Sequence, residues 1–89
     1  MIVEKIRAIA KEEGILQHNI HIYQESDTGG TIVLRSSMYD ILIDIGDDQE
    51  HYRLATSKHG FVNGYDDEKN IKTAKTLKGV SGYIKRFTA

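Results

Sequence analysis

The chain has 89 residues, of which 39% are hydrophobic and 28% charged, with no cysteine and a formal net charge of -1. This describes one small globular domain over 1–89 with a single core rather than a disordered or fibrous chain. The lack of cysteine excludes disulfides, a thiol nucleophile, iron-sulfur clusters and thiolate zinc sites. No apolar run approaches the roughly 20 residues that cross a bilayer. Charges interrupt the leading MIVEKIRAIAKEEG in a way unlike a secretion signal, so a cytoplasmic protein without a membrane span is expected.

At the N-terminus, Ile2, Val3, Ile6, Ile9 and Ala10 fall within one arc of a 3.6-residue helix, with Glu4, Arg7, Lys11 and Glu12 outside it. Gly14 followed by Ile15 suits a left-handed helix stop with an apolar contact behind it, ending the helix near Glu13. From His18 the period changes to two. Ile20 and Ile22 share a face with Ile32 and Leu34 across a turn supplied by ESDTGG. YDILIDI and EHYRLAT form a second hairpin around GDDQ. Centred on Asp47 and Asp48, it would set Ile45 opposite Glu50, Ile43 opposite Tyr52 and Ile41 opposite Leu54. On the other face the same register sets Asp44 opposite His51, with Arg53 diagonal to Asp40 and Asp44. Phe61 and Val62 are candidates for a short fifth strand or a lid.

A final helix capped by Asp66 or Asp67 is expected to bury Ala74, Leu77, Val80, Ile84 and Phe87, with a basic outer face. Gly79 and Gly82 also fall on that outer face, which implies either a break in the helix or a close approach to its backbone. The expected architecture is an α+β two-layer sandwich: an N-terminal helix, a four- or five-stranded antiparallel sheet and a C-terminal helix, both helices on one face. The second sheet face is then bare. It carries His21, Tyr23, Val33, Arg35, Asp40, Leu42, Asp44, His51, Arg53 and Ala55, the mixture of aromatic, aliphatic and charged groups found on protein-binding surfaces.

Charge is polarised along the chain. Residues 1–50 carry ten acids and four bases, and residues 51–89 carry eight bases and three acids. An acidic hairpin of this kind suits a basic protein surface, where complementary potential speeds association and sets specificity. The expected partner-contacting residues are Tyr23, Arg35, Asp40, Leu42, Asp44, Asp47, Asp48, Glu50, His51 and Arg53. The alternative surface is the basic C-terminal helix, where Lys69, Lys72, Lys75, Lys78, Lys85 and Arg86 would neutralise nucleic-acid phosphates. A homodimer pairing the basic helix of one copy with the acidic hairpin of another is a third arrangement, beside a monomer.

Chemistry of other kinds is poorly supported. His18 and His21, three apart in a strand, point to opposite faces and cannot share an ion. His51 with Asp44 offers too few ligands for a closed metal site, and Asp47, Asp48 and Glu50 lack the spacing of a calcium loop. GGT at Gly29–Thr31 is followed by no helix and no lysine, so it is not a phosphate loop. The sequence therefore reads as a non-enzymatic protein-binding module without cofactor or metal. Twelve isoleucines and eight lysines suggest an AT-rich coding genome. With the small size, this fits a phage or mobile-element inhibitor of a host enzyme or defence system.

Overall fold

The computed structural model describes residues 2–25, 29–46, 51–58, 60–61 and 68–88, with Gln24 and Glu25 by backbone alone. Helix α1 (Ile2–Glu12) leads through a single 3-10 turn, Gln17–Asn19, into strand β1 (Ile20–Glu25). Strands β2 (Gly30–Arg35), β3 (Asp40–Ile45), β4 (Tyr52–Ser57) and β5 (Lys69–Ala74) follow, and helix α2 (Leu77–Thr88) ends the chain. The sheet is antiparallel throughout, in the order β1-β2-β3-β4-β5. His18 thus lies in the 3-10 turn rather than in the strand.

The helix-facing side of the sheet is built from the isoleucine alternation. Ile32, Leu34, Ile41, Ile43 and Leu54 have no exposed surface, and they join Val3 and Ile6 of α1 and Val80 and Ile84 of α2 in one cluster. Each large aliphatic side chain buried this way contributes on the order of 1.5–3 kcal/mol. α1 lies over β1 and β2, and α2 over β3, β4 and β5, so both helices occupy one face of an α+β sandwich. α1 stops as expected. Gly14 adopts φ +90°, its N–H donates to Lys11 C=O at 3.0 Å, and Ile15 N–H donates to Ala10 C=O at 3.0 Å. This is a Schellman stop, with Ile15 turned into the core.

Two sequence expectations change. First, the β3–β4 register is shifted by two residues: Ile45 pairs with Tyr52, Ile43 with Leu54 and Ile41 with Thr56. A shift of two keeps every side chain on its face, which is why the alternation alone does not detect it. The expected register would have placed the Glu50 carboxylate on the core face beside Ile45. The observed one puts Tyr52 there, and Gly46 N–H closes the loop by donating to His51 C=O at 3.1 Å.

Second, the fifth strand among the described residues is 69–74, a stretch expected to be helical, and the final helix starts at Leu77, nine or ten residues later than a cap at Asp67 or Asp66 implies. Phe61 sits in a turn, while Val62, Asp66 and Asp67 lie outside the described residues. β4 is buried along most of its length, so its outer backbone groups need a partner strand, and this need overrides the helical pattern of the lysine run. The helix cap is Thr76, whose Oγ accepts the Gly79 N–H at 3.1 Å.

α2 is continuous through both glycines. The close approach at Gly79 is made by the chain itself, since a Cβ there would meet Ala74 Cβ at 3.1 Å, whereas Gly82 faces open space. β5 also carries a bulge. Asn70 and Ile71 together oppose Ala55, and Asn70 takes φ +52°, a left-handed conformation that asparagine tolerates well. Tyr83 of α2 donates its hydroxyl to Asn70 C=O at 2.7 Å, fastening helix to bulge.

Two measurements follow from this geometry. Gly82→Ala should raise stability by about 0.5–1 kcal/mol in urea unfolding, because the site is helical and open. Gly79→Ala should gain less or destabilise, because Ala74 must give way; equal gains at the two sites would contradict the tight strand-to-helix turn. Burial raises the phenol pKa of Tyr52, and also that of Tyr83, for which the Thr56 hydroxyl and the Arg86 charge partly offset it. The unfolded tyrosines ionise from about pH 10. The stabilisation from keeping these phenols neutral is therefore complete below that pH and is lost as pH rises through the folded values. Stability measured above pH 10 should decline, and Tyr83→Phe should flatten the decline.

Candidate functional site

The sheet face away from the helices is arranged in three rows that run across the strands. The central row is His21, Val33, Leu42 and Ala55, paired in that order from β1 to β4. On one side lies Arg35, Asp40 and Ser57; on the other lies Thr31, Asp44, Arg53 and Thr73. An apolar strip is thus bordered by two polar ones. Cross-strand neighbours of this kind are the pairs through which a sheet face is stabilised.

The polar rows satisfy themselves. Arg35 Nε donates to Asp40 Oδ1 at 3.1 Å, Thr31 Oγ1 donates to Asp44 Oδ1 at 3.3 Å, and Arg53 pairs with Glu68. Asp40 is wholly buried. It is therefore not the solvated contact residue that the sequence suggested, and it bears on the surface by holding Arg35. Val33, Ala55 and Ser57 are also buried and form the floor of the face, so the face is less bare than the alternation implied.

Tyr23, Leu42, Asp44 and Arg53 remain accessible in whole or part. Tyr23 is the extra residue of a β1 bulge between Ile22 and Gln24, 58% exposed, with its ring stacked on His21 at 6.3 Å and 25°. His51 is exposed and lies beyond the ladder, because the register shift puts Arg53, not His51, opposite Asp44. Asp47, Asp48 and Glu50 lie outside the described residues.

The basic residues do not form one helical stripe. Lys69 and Lys72 are on β5 and Lys75 is in the turn, leaving Lys78, Lys85 and Arg86 on α2. All six are exposed, and Arg86 lies over the Phe87 ring at 5.0 Å. Lys78, Gly82 and Lys85 share the outer helix face at spacings of four and three.

Two concavities occur at the end of the sheet where both helices terminate. One, of about 470 Å³, is open and lies between the end of α1, the β2–β3 turn and Thr88. The other, of about 380 Å³, lies between the start of β3 and the β4–β5 edge and is lined by Tyr39, Thr56, Ser57, Lys58, Lys69 and Asn70. Sequence reading missed Thr31, Glu68 and this second lining. Thr56 and Ser57 do leave a trace, as two adjacent hydroxyls in a run that buries both of its faces, but no local signal marks Glu68 as the partner of Arg53. Among the described residues, no three His, Asp or Glu side chains come together as a metal site, and no helix is long and apolar enough to cross a membrane. Comparison with protein-family models, with curated proteins and with solved structures finds no match.

The buried carboxylate gives a direct test of the Arg35 row. Arg35→Ala should cost about 2–4 kcal/mol in urea unfolding, because it removes the guanidinium that faces a wholly buried carboxylate. Adding Asp40→Asn should recover part of that loss; strict additivity of the two changes would show that the pair is not coupled.

Proposed function

We propose that this chain is a small, non-catalytic protein-binding module that works by covering a surface of its partner with the three-row sheet face. The observation that supports this reading is the pattern of the face itself: an apolar strip ending in the His21–Tyr23 stack, bordered by polar groups already held in place. Interfaces concentrate aromatic and arginine contacts at a desolvated centre with a polar surround. Holding Arg35, Asp44 and Arg53 in cross-strand pairs before contact also lowers the ordering cost of association. The contacts in this reading are Tyr23, Leu42, Arg53 and the exposed part of Arg35, with the acidic Asp44 setting the charge preference.

A module with this mode of action inhibits whatever its partner does through the covered surface. Composition and size favour a phage or mobile-element inhibitor acting in the cytoplasm. The alternative, nucleic-acid binding through α2, draws on Lys78, Lys85 and Arg86, together with the lack of any acid between Lys69 and Thr88. It is weakened by the removal of Lys69 and Lys72 from the helix, which shortens the basic stripe.

The two readings separate in affinity capture at physiological salt, with nuclease-treated and untreated arms and two variants. A protein retained after nuclease, lost by roughly tenfold in affinity with Tyr23→Ala plus Leu42→Glu and kept by Lys78→Glu plus Lys85→Glu, supports the sheet-face module. Retention that vanishes with nuclease, or that follows the helix variant, would move the function to α2.

A further inference from the structure

The outer face of α2 carries charge of one sign that the rest of the chain does not answer. Lys75, Lys78, Lys85 and Arg86 are exposed, and no acid occurs in the sequence after Glu68. Among the described residues the ion-paired carboxylates of Glu4, Asp40 and Glu68 serve Arg7, Arg35 and Arg53 instead. Arg86 lies over the Phe87 ring at 5.0 Å, a contact that fixes its place without neutralising it. A surface of one sign complements a partner of the other, which speeds association and fixes register.

Gly82 stands in the middle of this face. Lys78 and Lys85 lie on either side of it, about 10.5 Å apart along the helix axis. Between them Val80, Tyr83 and Ile84 turn into the core, so the outward side of that turn is left to Ser81 and Gly82. A glycine inside a helix is destabilising relative to alanine. At Gly79 the nearness of Ala74 gives the fold a reason for it, whereas a Cβ at Gly82 would meet nothing within 4 Å. No packing inside the chain offsets the cost at Gly82, and its bare backbone forms a saddle between two long cationic side chains.

We propose that α2 is a second protein-contact surface, which takes an acidic α-helix of a partner crossing at Gly82, its carboxylates bonded to Lys78, Lys85 and Arg86. A helix with its side chains is about 10–12 Å across, which matches the span between the two lysines. Contact at a residue without a side chain brings the two axes to the short end of the usual spacing of about 8–10 Å. Bonds from ammonium or guanidinium to carboxylate are the strong, charge-assisted class. A helix that reads a nucleic-acid groove needs side chains that reach base edges, and here the middle of the face is bare. The surface lies across the molecule from the three-row face, because the helices occupy the other side of the sheet.

The test is a titration of the full-length ¹⁵N-labelled chain at physiological salt with three probes. These are a stapled alanine-based helical peptide of about 15 residues with glutamates along both flanks, its glutamine counterpart, and duplex DNA of similar length. Saturating shifts at the amides of Lys78, Ser81, Gly82 and Lys85 with the glutamate peptide, absent with the glutamine peptide, are expected. Lys78→Gln plus Lys85→Gln should weaken binding roughly tenfold, while Lys11→Gln on α1 should leave it unchanged. Gly82→Gln, which puts a good helix former at an open helical site, should keep the dispersed spectrum yet weaken binding roughly fivefold by filling the saddle. The proposal is overturned by shifts that rise linearly without saturation, by equal binding of the glutamine peptide, or by unchanged affinity in Gly82→Gln. Tighter binding of the duplex at the same amides would also overturn it, and would make the surface one for nucleic acid.

Discussion

A sheet with helices on only one side must solve a different problem on each face. On the helix side, burial is supplied by α1 and α2, and the strands need only present aliphatic groups in step. On the other side no helix arrives, yet the backbone there is equally in need of shelter and the central side chains are held within the sheet. The rows meet that need by pairing across strands: Arg35 closes over Asp40, Thr31 over Asp44, and Glu68 reaches Arg53 from the segment leading into β5. The polar face is thus a consequence of the one-sided layering, and the surface offered to a partner is what remains after that pairing.

β5 extends the same logic to the sheet's edge. It shelters the outer backbone of β4 while remaining almost entirely exposed itself, with Ile71 61% accessible and lysines at 69 and 72. Exposed lysines on an edge strand discourage pairing with a second copy, since two such edges repel. The bulge at Asn70 adds twist to the same edge, and Asn70 lines the concavity beside it. The edge is therefore guarded against strand addition by its lysines and by one local irregularity.

Much of this fold was readable from the chain because its signals are periodic. Isoleucines at 20, 22, 41, 43 and 45 declare strands and their inward face, and Gly14 declares the end of α1. What escaped were features that depend on a partner distant in sequence. The β3–β4 register differs by two because parity is blind to even shifts. Lys69–Ala74 has no alternation of its own and becomes a strand only because β4 has an unfilled edge. The same limit applies to the candidate site. Tyr23, Leu42 and Arg53 follow from alternation, whereas the burial of Asp40 and the meeting of Ser57 with Tyr39 and Asn70 depend on strands assembled elsewhere.

The hydroxyl of Tyr83 bonded to the Asn70 carbonyl has a further bearing on how the molecule comes apart. The last helix and the last strand are adjacent in sequence, joined by a turn in which a Cβ at Gly79 would crowd Ala74, and also bolted together at the bulge. Any fluctuation that lifts α2 must either break that bolt or carry β5 along with it, baring the flank of β4. The C-terminal strand and helix therefore behave as one opening unit, with amide exchange in 69–74 and 77–88 sharing a common rate, distinct from that of the meander β1 to β4.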